Sequence, residues 1–284
     1  MSKSETTIAV LKFGGEVVAD TARLVAVLRE VSDLVASGWR FVLCHGGNPQ
    51  ANALTQSLGL RRTQVGGRRL TDAATLDVMK RVLAGECNVD VVAAAMGQGL
   101  SAVGVSGVSA GLVTARRRPP VVMAGCGPDP IDFGLVGDIE KIEHGLLETL
   151  LGAGYTPVVN TLGIDAAPGD DGVCPVYNIN ADTVASAIAA ALGADHLFLM
   201  TGVPGVLRDK DDPSTRIPTL TATEARGAIA DGVIVDGMIP KIEGALANLS
   251  RGVGAVHILG AEPGGLRREA AQAGSAGTAL IHDD

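Results

Sequence analysis

Apolar residues in this chain gather in short runs that end near glycine, and between the runs they recur at helical spacing. The run at 8–11 leads to Gly14-Gly15, that at 41–43 to Gly46-Gly47, that at 102–105 to Gly107 and that at 197–200 to Gly202. Each has the length and composition of a buried strand. Leu24, Val27, Leu28, Val31, Leu34 and Val35 form one stripe of a helix that Gly38 stops. Thr71 is placed to cap a helix bearing Leu76, Met79, Val82 and Leu83, and Thr221 with Glu224 matches a capping box. Asn180 is the N-cap of a helix over 183–192 that Gly193 ends, with Asp182 suiting its first turn.

Strands alternating with helices predict an α/β fold, a mostly parallel sheet with helices on both faces. Ligands in such sheets bind at the carboxyl edge of the strands, where the diglycine turns fall. The acidic, Pro/Gly-rich stretch 165–175 reads as an exposed hairpin or lid, and 203–218 as a second long excursion. No flexible linker divides the chain. It is expected to be one domain over 1–284, with a hinge between two lobes near residue 175.

Composition refines this picture. The 284 residues are 46% hydrophobic with 38 Gly but only 2% aromatic, so the core is built from Val, Leu, Ile and Ala. A net charge of −8 argues against a nucleic-acid partner. It leaves a small anionic ligand open, because such a ligand responds to local charge. Cys44, Cys87, Cys126 and Cys174 contain no C-x-x-C pair and read as reduced thiols. The five histidines, His45, His144, His196, His257 and His282, lack metal-ligand spacing. Residues 1–7 are polar and the apolar run after them is too short for a signal peptide. The longest apolar helix is too short to span a bilayer. A cytoplasmic protein without a membrane partner is expected.

Two lysines carry the chemistry. Lys12 ends a strand before Gly14-Gly15, and Lys241 follows Ile239-Pro240 at a helix start. A cation at a helix start is misplaced against the helix dipole unless an anion, most simply phosphate, comes to that spot. Two such lysines point to phosphoryl transfer. Gly14-Gly15 and Gly46-Gly47 are either tight turns or backbone nests for an anion; both readings rest on glycine's access to φ > 0. Neither fits the dinucleotide or Walker patterns. Arg69, just ahead of a capped helix, is placed to hold a carboxylate at two points. Asp182 can neutralise and aim two lysines that would otherwise repel. Asn178 is more than a cap needs. No nucleophile–histidine triad is present: strand pleating sends Cys44 and His45 to opposite faces.

In their order, these motifs resemble the amino-acid kinase family. The resemblance runs from Val10 to about Leu259. It rests on Lys-Phe-Gly-Gly at 12–15, His-Gly-Gly at 45–47, Arg-Leu-Thr-Asp at 69–72, Asn-Ile-Asn-Ala-Asp at 178–182, Val-Pro-Gly-Val-Leu at 203–207 and Gly-Met-Ile-Pro-Lys at 237–241. Within the family the chain is similar to the members that phosphorylate the γ-carboxylate of N-acetyl-L-glutamate for arginine biosynthesis. The resemblance implies an open αβα sandwich. A lobe over 1–175 would bind N-acetyl-L-glutamate, and a lobe over 176–284 would bind ATP, with Mg²⁺ carried by the nucleotide and no metal site in the protein. It further implies that Lys12 and Lys241 stabilise the transferring phosphoryl group while Asp182 organises both. Gly46 and Gly47 would offer N–H groups to the reacting end of the substrate, Arg69 would bind the α-carboxylate and Asn178 the acetamido region. Gly14, Gly15, Thr201 and Gly205 would face the nucleotide phosphates.

The chain departs from the pattern where Asn48 replaces a third glycine and Gly202 an aspartate. Asn48 is expected to keep the turn by tolerating φ > 0. Arginine-inhibited members carry an extra N-terminal helix and a C-terminal sequence that 260–277 matches poorly, so weak or absent arginine feedback is expected, and a homodimer over a hexamer. A P-II-type regulator is not indicated. Two alternatives compete: a kinase for carrier-linked aminoadipate in lysine biosynthesis, and a non-catalytic amino-acid sensor. The Asn-Ala-Asp motif and the acidic balance speak against the first; Lys12, Asp182 and Lys241 together speak against the second.

Overall fold

The computed structural model describes residues 6–66, 68–123, 126–209, 211–235 and 238–283. In chain order the first part comprises β1 (Ile8–Phe13), α1 (Gly15–Ala19), α2 (Thr21–Ala36), β2 (Arg40–His45), α3 (Asn48–Ser57), β3 (Gln64–Val65), β4 (Arg68–Arg69) and α4 (Ala73–Lys80). A π-helical stretch, Arg81–Cys87, joins α4 to α5 (Asn88–Gly97). Next come β5 (Ala102–Val105), β6 (Val113–Arg117), β7 (Gly137–Ile142), α6 (Gly145–Gly152), β8 (Thr156–Val159), β9 (Leu162–Ile164) and β10 (Val176–Asn178). The last part holds α7 (Ala181–Leu192), β11 (His196–Met200), β12 (Thr219–Thr221), α8 (Ala222–Ala230), α9 (Ile239–Ser250), β13 (Ala255–Leu259), α10 (Gly265–Ala271) and β14 (Thr278–Ile281).

Eight strands form the central sheet in the order β12-β14-β13-β11-β1-β2-β8-β5, parallel throughout except for β13 against β14. Alternate strand residues feed two buried clusters. Val10, Val42, Leu197, Leu199, Val256 and Ile258 join one with residues of α7 and α9. Ala9, Leu11, Phe41, Leu43 and Phe198 join the other with residues of α2 and α5. A sheet buried on both faces needs apolar residues in both registers, hence the near-continuous runs in the sequence. The molecule is an αβα sandwich around a mostly parallel sheet, as the alternation predicts. No helix of the described residues is long and apolar enough to cross a membrane, and all four cysteines are free.

Several helix limits match the sequence reading. Asn180 caps α7 by accepting from Asp182 N at 2.8 Å and Thr183 N at 3.3 Å, and Gly193 closes it at φ 56°. The Thr221–Glu224 capping box is present. The cap expected at Thr71 is a correction: Asp72 caps α4, its carboxylate accepting from Thr75 N at 2.8 Å. Thr71 is fully buried, bridges Gly134, and accepts from Asn178 Nδ2 at 3.3 Å. The stretch 165–175 is the hairpin loop between β9 and β10, closed by Asp165 N donating to Pro175 O at 2.8 Å. A second sheet, β10-β9-β6-β7, and the β3-β4 hairpin were not foreseen; β3, β4, β9 and β10 have only two or three residues, too short to show a period, and β6 and β7 are rich in charged residues rather than forming apolar runs.

Glu269 of α10 is buried and organises the far end of the sheet. Its carboxylate accepts from His257 Nδ1 at 2.9 Å and from the backbone N–H of Gly274, Ala276 and Gly277 at 2.7–2.8 Å. Arg216 donates to the carbonyls of Gly274 and Gly277, so the turn is gripped from both sides. Burial works against the charged carboxylate, yet these hydrogen bonds hold it at about 2, below its ordinary 4.5. A depressed carboxyl pKa stabilises the fold above the unfolded value and loses that effect as pH falls through 4.5 toward 2. The contribution near neutral pH is about 3 kcal/mol. Glu269→Gln is expected to lower stability at about pH 7 by an amount of this order and to flatten its decline toward about pH 3, read by urea unfolding at both pH values.

Candidate active site

The site lies where the sheet changes direction. From β1 the strand order runs one way through β2 and the other through β11, making β1 the switch point at which open α/β sheets bind ligands. In register, Lys12 stands beside Cys44 of β2 and Leu199 of β11, so Gly14-Gly15, Gly46-Gly47 and Thr201 leave the sheet at one edge. Burial pushes the Cys44 thiol up to about 12, against the pull of Lys12, and leaves it uncharged.

Lys12 Nζ lies 2.9 Å from Asp182 Oδ1, with the lysine side chain only 12% exposed. The pair ties β1 to the start of α7. Asp182 also lines a small cleft with Ser186, Thr201, Lys241 and Gly244. Asp182 thus stands between the two lysines, ion-paired with Lys12 and sharing a cleft with Lys241. Lys241 sits in the first turn of α9, behind Pro240, as its sequence context predicts. Gly237, the first residue of its motif, lies outside the described residues.

The glycines serve a different purpose from the one the sequence suggests. Neither Gly14, Gly15, Gly46 nor Gly47 has positive φ. Gly15 and Gly47 are needed for space. A Cβ on Gly15 would lie 2.8 Å from Gly47 Cα and 2.7 Å from Pro49, and one on Gly47 would lie 3.0 Å from Leu83 and Cys87. Two helix starts, α1 after Gly14 and α3 after Gly47, therefore meet backbone to backbone. Asn48 likewise needs no positive φ; it opens α3. Gly46 N donates to Phe13 O at 3.0 Å, whereas Gly47 N finds no acceptor among the described residues. The unshielded N–H groups of two convergent helix starts favour an anion.

Arg69 is 7% exposed. Its Nη2 donates to Asn52 Oδ1 at 2.6 Å and to Asn48 Oδ1 at 3.4 Å, while its Nε and Nη1 are buried without an acceptor among the described residues. Burial, with the nearby charge of Arg62, pushes its pKa below the ordinary value. A buried guanidinium with no carboxylate beside it is costly unless an anion arrives. Asn178, at the end of β10, reaches Thr71 rather than Arg69.

Of the remaining candidates, Thr201 closes a turn after β11, its hydroxyl donating to Val203 O at 3.0 Å. Gly205 has φ 152° and packs where a Cβ would lie 2.7 Å from Thr278 Oγ1; Val206 N donates to that same hydroxyl at 2.8 Å. Both shape the loop after β11. Sequence reading missed Asn52 and Gln50. Gln50 Nε2 donates to Gly15 O at 2.9 Å and ties α3 to α1. No local signal marks either; they are found only once α3 is laid beside α1. Among the described residues no three His, Cys, Asp or Glu side chains gather as a metal-binding group.

The sequence profile of the Amino acid kinase family matches residues 7–260. A protein of Sorangium cellulosum (strain So ce56) named acetylglutamate kinase is 50% identical, over 96% of this chain and 94% of its own. One of the same name from Anaeromyxobacter dehalogenans (strain 2CP-1 / ATCC BAA-258) is 48% identical, over 96% and 98%. The solved N-acetylglutamate synthase from Neisseria gonorrhoeae, complexed with coenzyme A and N-acetyl-glutamate, superposes with a TM-score of 0.78 at 25% identity, covering 98% of this chain. This chain spans 60% of that longer one.

The glycine geometry is testable by unfolding. Gly15→Ala forces two backbones apart and is expected to cost ~1–3 kcal/mol. Gly227→Ala, on the open side of α8 with nothing within 4 Å, is expected to gain ~0.5–1 kcal/mol. Urea titration of both variants checks the contrast.

Proposed function

The chain belongs to the amino acid kinase family, and from that premise we propose that it transfers the γ-phosphoryl group of ATP to the γ-carboxylate of N-acetyl-L-glutamate, an early step of arginine biosynthesis. The observation that carries this reading is the Lys12–Asp182 pair at the switch point, flanked by two convergent helix starts and by the cleft of Lys241. The relatives at 50% and 48% identity bear the name of this activity. Neither the carrier-linked aminoadipate kinase nor the silent sensor gains support from them.

A γ-carboxyl group has an ordinary pKa of about 4.3, so it is ionised near neutral pH and needs no general base. Its oxygen attacks the γ-phosphorus. The new O–P bond forms as the bond to the β,γ-bridging oxygen breaks, and ADP leaves with that electron pair. The protein supplies alignment and positive charge for this transfer. Lys12, held by Asp182, and Lys241 are assigned to the equatorial oxygens of the transferring group. Gly47 N–H is assigned to the reacting carboxylate end, and the N–H groups of Gly14 and Gly15 to phosphate. Gly46, whose N–H already donates to Phe13 O, is given no such role.

Arg69 is assigned to the α-carboxylate, which would satisfy Nε and Nη1 together. Asn178 is assigned to the acetamido region, and Thr201 and Gly205 to the nucleotide side. On this reading residues 1–175 form the substrate lobe and 176–284 the nucleotide lobe. Mg²⁺ is assigned to the nucleotide phosphates, in keeping with its preference for phosphate and water over an all-protein cage. The working compartment is assigned as the cytoplasm.

A second copy of the chain is the proposed partner. Val89 and Met96 stand 62% exposed, two helical turns apart on α5, forming an apolar stripe that a symmetry-related α5 would cover. Replacing both with glutamate is expected to give a monomer by sedimentation; an unchanged sedimentation coefficient removes this surface from the interface.

ADP formation from ATP with millimolar N-acetyl-L-glutamate tests the activity, and its absence overturns the reading. Lys241→Ala is expected to keep the fold and lower kcat at least ~10²-fold. Arg69→Lys, which loses the two-point grip, is expected to raise KM for N-acetyl-L-glutamate ~10-fold or more while leaving KM for ATP near its wild-type value; one good charged hydrogen bond is worth about that.

A further inference from the structure

His45 is fully buried at the end of β2, although the phosphoryl transfer described above has no need of a base. Its ring touches two groups. Nδ1 lies 3.1 Å from Gly46 O, and Nε2 lies 3.0 Å from Asn88 Nδ2. Asn88 is also buried, and the same Nδ2 donates to Val158 O at 2.9 Å. A carbonyl only accepts, so the Asn88 amide is oriented with its nitrogen toward both partners. His45 Nε2 must then accept, and the ring proton resides on Nδ1, where it donates to Gly46 O. The network alone dictates the tautomer.

That choice has a geometric consequence. Gly46 O and Gly47 N–H belong to one peptide group, and in a trans peptide they point in opposite directions. Holding the carbonyl toward the buried ring turns the Gly47 N–H away from it. This is the N–H that finds no acceptor among the described residues. The mounting is close-fitting. Asn88 opens α5 directly after the π-helical stretch, and that stretch supplies Val82, Leu83 and Cys87 as the floor under Gly47. On the other side, a Cβ on Gly104 of β5 would lie 2.3 Å from Asn88 Oδ1, so that glycine makes the slot for the amide. π-helical insertions occur often at functional sites, where one extra residue re-aims the next turn of the helix.

We propose that His45 and Asn88 are positioning residues for the transfer: Asn88 fixes the His45 tautomer, His45 Nδ1–H fixes the Gly46–Gly47 peptide, and that peptide presents the Gly47 N–H to the reacting carboxylate. The inference rests on the functional reading above, which assigns Gly47 N–H to that oxygen. Burial holds the His45 ring at about 4, well below 6.5, so it remains neutral and keeps one proton to place across the working pH range.

The test separates this role from plain core packing. His45→Asn puts an amide N–H near the Nδ1 position and can still donate to Gly46 O. His45→Gln reaches toward Asn88 but leaves Gly46 O without its donor. Both are polar and of similar size, and their melting temperatures are expected to agree. His45→Asn is expected to retain kcat within ~3-fold, and His45→Gln to lose ~10–10² in kcat with both KM values little changed, the range for a mis-aimed backbone donor. Nitrogen-15 NMR of histidine-labelled wild-type protein at neutral pH is expected to show the His45 proton on Nδ1. Equal kcat for the two variants, or a proton on Nε2, overturns the proposal while leaving the activity intact. A wild-type protein inactive on N-acetyl-L-glutamate overturns the functional reading, and this inference with it.

Discussion

The close approach of Gly15 to Gly47 is the constraint on which the rest of the site depends. Two helices can start at the same point only if neither start carries a side chain, and a Cβ on Gly15 would reach 2.8 Å from Gly47 Cα. Their meeting fixes where β1 and β2 must end, and hence where Lys12 emerges beside Cys44 and Leu199. It also concentrates the positive ends of two helices within a few ångströms, and Lys12 adds a formal charge to them.

That concentration of positive charge would be self-defeating in an isolated protein. Asp182 relieves part of it through its 2.9 Å contact with Lys12, and it does so from the first turn of α7, where a carboxylate is favoured in any case. One residue thereby serves the helix and the site. On the proposed reading, the groups left without a counter-charge among the described residues, the N–H donors, Lys241 and Arg69, would meet a dicarboxylate and a polyphosphate.

Much of the frame was legible in the sequence because it is written in local patterns. The strands that end at Phe13, His45 and Met200, the cap at Asn180, the stop at Gly193 and the box at Thr221 are each set by a few adjacent residues. What was illegible depends on distance. Whether a glycine is required for its φ or for its smallness cannot be read until its neighbours are known, and Gly15 and Gly47 proved to be of the second kind. Thr71 alone was expected as the cap; its bridge to Gly134 draws it into the interior and passes the cap one residue on, to Asp72. The π-helical stretch keeps the same apolar residues as an ordinary helix over so short a span. Glu269 belongs to no motif, and its role comes only from the turn at 274–277 that closes over it. Lys12, Asp182 and Lys241 emerged from the motifs, whereas Gln50 and Asn52, which hold Gly15 and Arg69, belong to no motif and are recruited by packing.

The incompletely bonded guanidinium of Arg69 has a consequence for the whole molecule. This residue is withdrawn from water with two of its donors unpaired among the described residues. The fold is thus locally frustrated at the place proposed to recognise the substrate carboxylate. An anion seated on Nε and Nη1 removes that frustration, and whatever binds the folded chain but not the unfolded one raises its stability. If Arg69 holds the substrate carboxylate as proposed, persistence of the protein and supply of its substrate would be coupled through one side chain: a chain that has found its ligand would also be the chain that unfolds least.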